Sequence, residues 1–221
     1  LYSRVMGVPD RAQLGEWLWV ARGLHKHDPV DRIGAFQEFN QDAAAAIAEE
    51  LGLVFHRREV ILSIRNKASM RRLLATAGVD GTPNRIVDGV QDIREFGKNH
   101  GYPLVLKPVD GWASIGVSKI ENEDEIDQAL KWVNESKAST RILDSQVLVE
   151  PFFHGEEFSV ETFSEGGVHK VVCVTQKFKE LKHFVETGHG VPAPVPASVR
   201  RGIGHFVSSI LTALGVMFGP G

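Results

Sequence analysis

The 221 residues contain a single cysteine, Cys173. One cysteine excludes an internal disulfide, which fits a reducing cytoplasm. Its place in the apolar run VVCV reads as a buried small residue. No apolar run approaches the roughly 20 residues needed to span a bilayer, so no transmembrane helix is expected. Clustered Lys and Arg, the mark of a nucleic-acid surface, are also missing: 25 basic and 28 acidic residues are interspersed, for a net charge of −3. A complete phosphate-loop motif is absent too. In KPVDGWASIGVSKI (107–120), Gly111 and Gly116 have the right spacing, but Val117 stands where the lysine belongs.

What is present is an ordinary globular balance, 43% hydrophobic and 24% charged, enough for one large domain or two small ones. The chain begins at Leu1 and ends in LGVMFGPG, an apolar stretch closed by a turn signal, so a fragment is expected at both ends.

Hydrophobic spacing predicts helices over 10–24 (Leu14, Trp17, Leu18 and Ala21 on one face), 40–51 (Asn40 cap, Gly52 stop) and 66–78 (Asn66 cap, with Met70, Leu73, Leu74 and Ala77 as its face). Further helices are expected over 90–99, with Ile93 and Phe96 inward, and from 122, where Asn122 and Glu125 form a capping box ahead of Ile126, Ala129, Leu130 and Val133. A last one covers 197–214, with Val199, Ile203, Phe206, Ile210 and Leu214 inward. Strands are expected over 30–36, 102–108, 115–120 and 146–150, and in a long hairpin, 157–165 with 168–176, turning at Gly166-Gly167. VPAPVP (191–196) is a loop. The alternation of strands and helices suggests part of an α/β layer.

A phosphate loop sits between a strand and a helix, so that helix N–H groups face the anion. Here the glycines join two strands, and the Walker motif fails on context as well as on Val117. A glycine hairpin still lets backbone N–H groups approach a phosphate. Lys107, at the end of the feeding strand, adds a point charge. On the loop alone, a surface hairpin with a solvated lysine is the more ordinary outcome. A weak fingerprint at Gly188-x-Gly190-x-x-Ala193 is noise, because Pro192 intervenes and no helix follows directly. Further features shift the odds. Lys67 opens a helix. VLVEPFFHGEEFSV puts Glu150 at a strand end, placed to accept from an adenine amino group, with the backbone near Phe152 and Phe153 at the ring edge. Glu157 is placed to bind ribose hydroxyls. Either glutamate in isolation reads as a solvated strand-end charge. QKFKELKH (176–183) reads as a solvated basic segment, and His189, between two glycines, as part of an exposed loop. Trp112, at the loop tip, either covers a nucleotide or packs on the small subdomain.

The ordered set NK…MR.LL..AGV, YPLVLKPVDGWASIGV, VLVEPFFHGEEFSVE and FVETGHGVPA resembles the ATP-grasp superfamily, most of all its carboxylate–amine ligases related to bacterial L-amino-acid (dipeptide) ligases. The resemblance covers roughly 53–221. It implies an α/β (α+β ATP-grasp) fold: a partial Rossmann-like pre-ATP-grasp domain (1–62), linking helices (63–103), a lid subdomain (104–152) and a truncated C-terminal subdomain (153–221).

By the same resemblance, Lys67 and Lys107 contact ATP phosphates, Lys107 also facing the adenine. Gly111 to Gly116 form a mobile lid loop with Ser114 as a phosphate contact. Glu150 and the Phe153 backbone hold adenine, and Glu157 the ribose. Glu186 and His189 of ETGH lie near the carboxylate substrate or acyl acceptor, and His189 and Lys107 are the candidates for the chemical step. Such ligases use ATP and Mg2+ to form an acyl phosphate that an amine then attacks, and homodimers are common among them. Their metal ligands, and an Arg that stabilises the acyl phosphate, follow the ALGV.FGP element. Here they are expected beyond Gly221, so the fragment alone should be inactive and the longer chain active. Alternatives within the superfamily are biotin-carboxylase-like and purine-pathway enzymes, which the ETGH segment disfavours. Outside catalysis the alternative is a nucleotide-binding remnant.

Overall fold

A computed structural model describes residues 4–9, 12–138, 146–180 and 184–220. The chain divides into two compact units, Leu1–Leu62 and Ser63–Gly221.

In the first unit, helix α1 (Leu14–His27) packs on α2 (Gln41–Leu51). The buried residues of α2 are Ala44, Ala45, Ala46 and Ala48, small and of high helix propensity, with Ile47 among them. Gly52, at φ 66°, ends it in the left-handed conformation. Residues 10 and 11 of the first expected helix lie outside the described residues. The strand expected over 30–36 does not form. Among the described residues its ladder contact is one parallel bridge, Arg32 to Val54, and a strand without a continuing partner has nowhere to place its backbone hydrogen bonds. Helix α3 (Arg58–Arg65) was not anticipated; it buries Val60 and Ile61.

The second unit holds two antiparallel four-stranded sheets. It begins with α4 (Lys67–Thr76), capped as expected: Asn66 Oδ1 accepts from the Ser69 N–H at 2.8 Å. Only Leu74 of its anticipated face is buried, while Leu73 and Ala77 are exposed. The stripe that turns inward is instead Lys67, Arg71 and Leu74, at i, i+4 and i+7.

The first sheet has the order β1 (Arg85–Val87), β4 (Val147–Pro151), β2 (Leu104–Pro108), β3 (Ser118–Ile120). Helices α5 (Val90–His100) and α6 (Ile126–Ala138) pack on it. Alternation along the strands sends Leu104, Leu106, Val147 and Val149 into a core with Ile93, Phe96, Ile126 and Val133. The same alternation sends Val105, Lys107, Lys119 and Glu150 to the opposite face. The capping box ahead of α6 is displaced, because a 3-10 turn (Glu123–Glu125) precedes the helix. Asn122 accepts from the Asp124 N–H at 3.1 Å, and Glu125 reaches back to the Glu121 N–H at 2.8 Å.

The second sheet has the order β7 (Val185–Gly190), β6 (Val168–Glu180), β5 (Glu157–Glu165), β8 (Gly219–Pro220). Gly166 and Gly167, at φ 57° and 80°, make the expected turn between β5 and β6, one that needs positive φ at both positions. His189 lies in strand β7, not in a loop. Two glycines hide the strand in the sequence, and only the extension of β6 to Glu180 supplies its partner. Cys173 is half-buried rather than buried, since its cross-strand partner is the exposed Glu161.

Helix α7 (Ala197–Ala213) lies on β6 through Gly204, where a Cβ would stand 3.3 Å from Val171 Cγ2. That close approach selects a small-residue face and turns Val199 and Phe206 outward, against expectation.

Two glycines should answer in opposite senses. A Cβ on buried Gly97 would meet the Tyr102 ring at 2.5 Å, so Gly97→Ala is expected to destabilise by about 1–3 kcal/mol. Gly202 in α7 has nothing within 4 Å, so Gly202→Ala should stabilise by up to about 1 kcal/mol. Urea unfolding measures both.

Candidate functional site

Val105 pairs with Glu150 across β2 and β4, so Lys107, two residues on, is the diagonal neighbour of Glu150 on one face. Lys107 Nζ donates to Glu150 Oε1. The guanidinium of Arg71, from α4, reaches Glu150 Oε2 through Nε and Nη2, each at 3.2 Å. Glu150 is only 6% exposed, and a carboxylate so placed requires such partners. Arg71 Nη1 also pairs with Asp80 Oδ2. Asp80 Oδ1 accepts from Thr82 twice, from N–H at 3.0 Å and from the hydroxyl at 2.6 Å. Burial by itself raises the Asp80 carboxyl. The Thr82 bonds and the Arg71 charge outweigh it, leaving the group below its ordinary value. Four charges thus alternate along one line: Lys107, Glu150, Arg71, Asp80. Lys119, on the same sheet face, pairs with Glu121 at 2.6 Å and lies 4.3 Å from the centre of the Phe152 ring.

The glycine loop leaves β2 beside this line. Ala113 and Ser114 take left-handed φ values of 51° and 57° inside a tight turn, with Ile115 N–H donating to Trp112 O at 3.0 Å. Gly116 is required twice over: its φ is 72°, and a Cβ there would meet Pro108 Cγ at 3.1 Å. Lys67 fastens the loop to the start of α4. Its Nζ donates to the Gly111 carbonyl and, at 3.5 Å, to that of Val109, while its backbone N–H donates to Val109 O at 3.1 Å. Under the loop lies a cleft of about 320 Å³ that draws together Lys67, Lys107, Lys179, Gly111 and Ser114. Val105, Ile115 and Phe184 make its apolar wall.

Beyond the loop, Gly116, Ser114 and Glu186 line an adjoining space. Glu186 is shared by Lys177 Nζ and by His189 Nε2 at 3.0 Å. The Lys177 hydrogen bond, with His189 in support, holds its carboxyl below the ordinary value despite some burial.

The sequence-predicted residues therefore separate into groups. Lys67, Lys107, Gly111 and Ser114 share the cleft. Glu150 lies beneath it, joined through Lys107, and Glu157 reaches it through Lys179 at 2.5 Å. Gly116 and Glu186 face the adjoining space, with His189 attached through Glu186. Phe153 is 67% exposed and lies two residues past the end of β4.

Arg71, Asp80 and Lys119 were not anticipated, and Lys179 was read as solvated; residues 181–183 of that basic segment lie outside the described residues. The signal for Arg71 was its place one helical turn after Lys67, and for Lys119 the strand alternation that aligns it with Val105. Three lysines and a glycine loop suit a polyphosphate. For a divalent metal the fit is poor: among the described residues no group of three or more His, Cys, Asp or Glu side chains converges. Among them, too, no helix is long and apolar enough to cross a membrane.

Residues 100–221, more than half of the chain, match the ATP-grasp domain family, and the chain belongs to that family. Among curated relatives, alanine–anticapsin ligase of Bacillus subtilis is 28% identical over 193 residues, which are 79% of this chain and 40% of the relative. D-alanine–D-alanine ligase of Geobacter sulfurreducens is 26% identical over 161 residues, 70% of this chain and 49% of the relative. Among solved structures, L-amino acid ligase from Bacillus licheniformis superposes with a TM-score of 0.79 at 25% identity, over 96% of this chain and 49% of that one. The biotin carboxylase domain of Hydrogenobacter thermophilus 2-oxoglutarate carboxylase, solved with MgADP, shares the fold: its TM-score is 0.75 at 18% identity, over 96% of this chain and 49% of that one. The chain spans about half the length of these relatives, or less. The ATP-grasp resemblance carried by the four ordered segments is borne out.

Glu150→Ala leaves two largely buried cations without their shared anion and should cost about 3–5 kcal/mol in urea unfolding. Because folding lowers the Asp80 pKa, its contribution is complete above the ordinary carboxylate range and is lost as pH falls from there through the lowered folded value. Asp80→Asn should therefore flatten the acid limb of the stability–pH curve below about pH 4.

Proposed function

We propose that the chain is the nucleotide-binding part of an ATP-dependent ligase that joins a carboxylate, an amino acid by preference, to an amine. The observation that carries the proposal is the convergence of Lys67, Lys107 and Lys179 under a glycine loop, in a chain whose matched relatives include an alanine–anticapsin ligase and a D-alanine–D-alanine ligase. ATP supplies the phosphoryl group that activates the carboxylate as an acyl phosphate, from which the amine displaces phosphate.

The residues of this chain bind, screen and orient. The lysines offset polyphosphate charge, which in such reactions is a large share of the catalytic work. The loop, with Ser114, closes over the phosphates and excludes water. Glu150 and the Phe153 backbone take the adenine, and Glu157 the ribose. Glu186 and His189, facing the adjoining space, orient the substrate carboxylate or amine, with His189 and Lys107 closest to the chemical step. The domain roles follow: a partial Rossmann-like domain over 1–62, linking helices over 63–103, a lid over 104–152 and the C-terminal subdomain over 153–221. The enzyme acts on small molecules as a homodimer in the cytoplasm, a compartment that a chain with a single cysteine suits.

In the full-length protein with Mg2+, ADP release should depend on a particular amino-acid pair. ATP binding without turnover across a broad amino-acid panel would mark a nucleotide-binding remnant instead. Lys107→Ala should weaken ATP binding roughly 10- to 100-fold in calorimetry while the fold persists, since Arg71 still covers Glu150. Unchanged affinity would remove Lys107 from the phosphate site.

A further inference from the structure

We propose that Arg71 is a positioning residue that frees Lys107 for the phosphates, by keeping the buried Glu150 carboxylate in charge balance when Lys107 turns to an incoming polyphosphate. The inference rests on the nucleotide site proposed above and adds a role for a residue outside the cleft lining.

Lys107 is claimed twice. It lines the cleft with Lys67 and Lys179, and it is bonded to Glu150. An ammonium is a compact point charge, and full engagement with a phosphate draws it from the carboxylate. Glu150 is too buried for water to replace that partner. The neighbouring cations are committed elsewhere: Lys67 to the carbonyls of Gly111 and Val109, Lys119 to Glu121 and the Phe152 ring. Arg71 alone among the described residues joins Lys107 on Glu150, and it uses a different oxygen, so it can stay when Lys107 leaves.

Its fork also suits the task. Nε and Nη2 face Glu150 while Nη1 faces Asp80, and Asp80 is fixed by Thr82 independently of Lys107. The guanidinium is therefore held in place before any ligand arrives.

Charge counting gives the variants opposite signs. The line of Lys107, Glu150, Arg71 and Asp80 sums to zero, and it becomes −1 when Lys107 is withdrawn. Arg71→Gln makes the remainder −2 and holds Lys107 back. Asp80→Asn makes the remainder neutral and gives Arg71 wholly to Glu150, which lets Lys107 go more readily.

The test is calorimetric titration of the full-length protein with inorganic tripolyphosphate, which lacks the adenine, and in parallel with ATP. Thermal unfolding of each variant accompanies it. Arg71→Gln should weaken tripolyphosphate binding about tenfold or more, and Asp80→Asn should tighten it severalfold. Weakening by both variants would show a merely structural role and overturn the inference, as would unchanged affinity in Arg71→Gln. If Arg71→Gln does not fold, the sign of the Asp80→Asn effect decides alone. A wild-type protein that binds neither ligand would overturn the nucleotide site itself, a result separable from failure of the Arg71 role.

Discussion

A carboxylate buried on the open face of a small antiparallel sheet sets the terms for everything around it. Glu150 sits at the end of β4, almost out of reach of water, and a charge in that position persists only where cations are brought to it. One comes from the adjacent strand β2 by register, as Lys107. The other comes from α4 by tertiary packing, as Arg71. The pull of one carboxylate therefore joins two segments far apart in the chain and fixes where the lysine of the cleft begins. Asp80 extends the same logic outward, because Arg71 could not be buried beside Glu150 without a steady counter-anion of its own.

The first sheet divides its labour by parity. One side is closed by α5 and α6 over Leu104, Leu106, Val147 and Val149, which gives the strands a dry, rigid backing. The other side carries the charged groups. The glycine loop is flexible in composition yet anchored at its base, since Lys67 holds the carbonyls of Gly111 and Val109 while Gly116 packs on Pro108. Rigid strands with an anchored loop between them are a workable frame for holding an anion, and the lysines of the cleft supply the charge. Membership of the ATP-grasp domain family agrees with that arrangement, reached through the fold rather than through a phosphate-loop motif.

Much of this was legible from residue pattern. Helix α5 with Ile93 and Phe96 inward, the β2–β3 hairpin, the Gly166-Gly167 turn and the Asn66 cap all follow from local chemistry, and all are present. Patterns that depend on a distant partner were not legible. A strand over 30–36 requires a neighbour and finds one bridge. Strand β7 looks like a loop until β6 is extended beside it. The apolar stripe of α7 faces outward at Val199 and Phe206 because Gly204 makes the closest approach to β6, and spacing alone cannot rank a glycine above a phenylalanine.

The sequence by itself determined the family, the glycine loop and the two lysines ahead of it, Lys67 and Lys107, because ordered motifs and strand parity are properties of neighbouring residues. The tertiary structure decided which charges share one anion. Arg71 and Glu150 are 79 positions apart, and no periodicity links them. Their pairing follows from burial: once β4 carries its carboxylate into a water-poor face, the stable arrangement is the one that brings Arg71 and Lys107 to it.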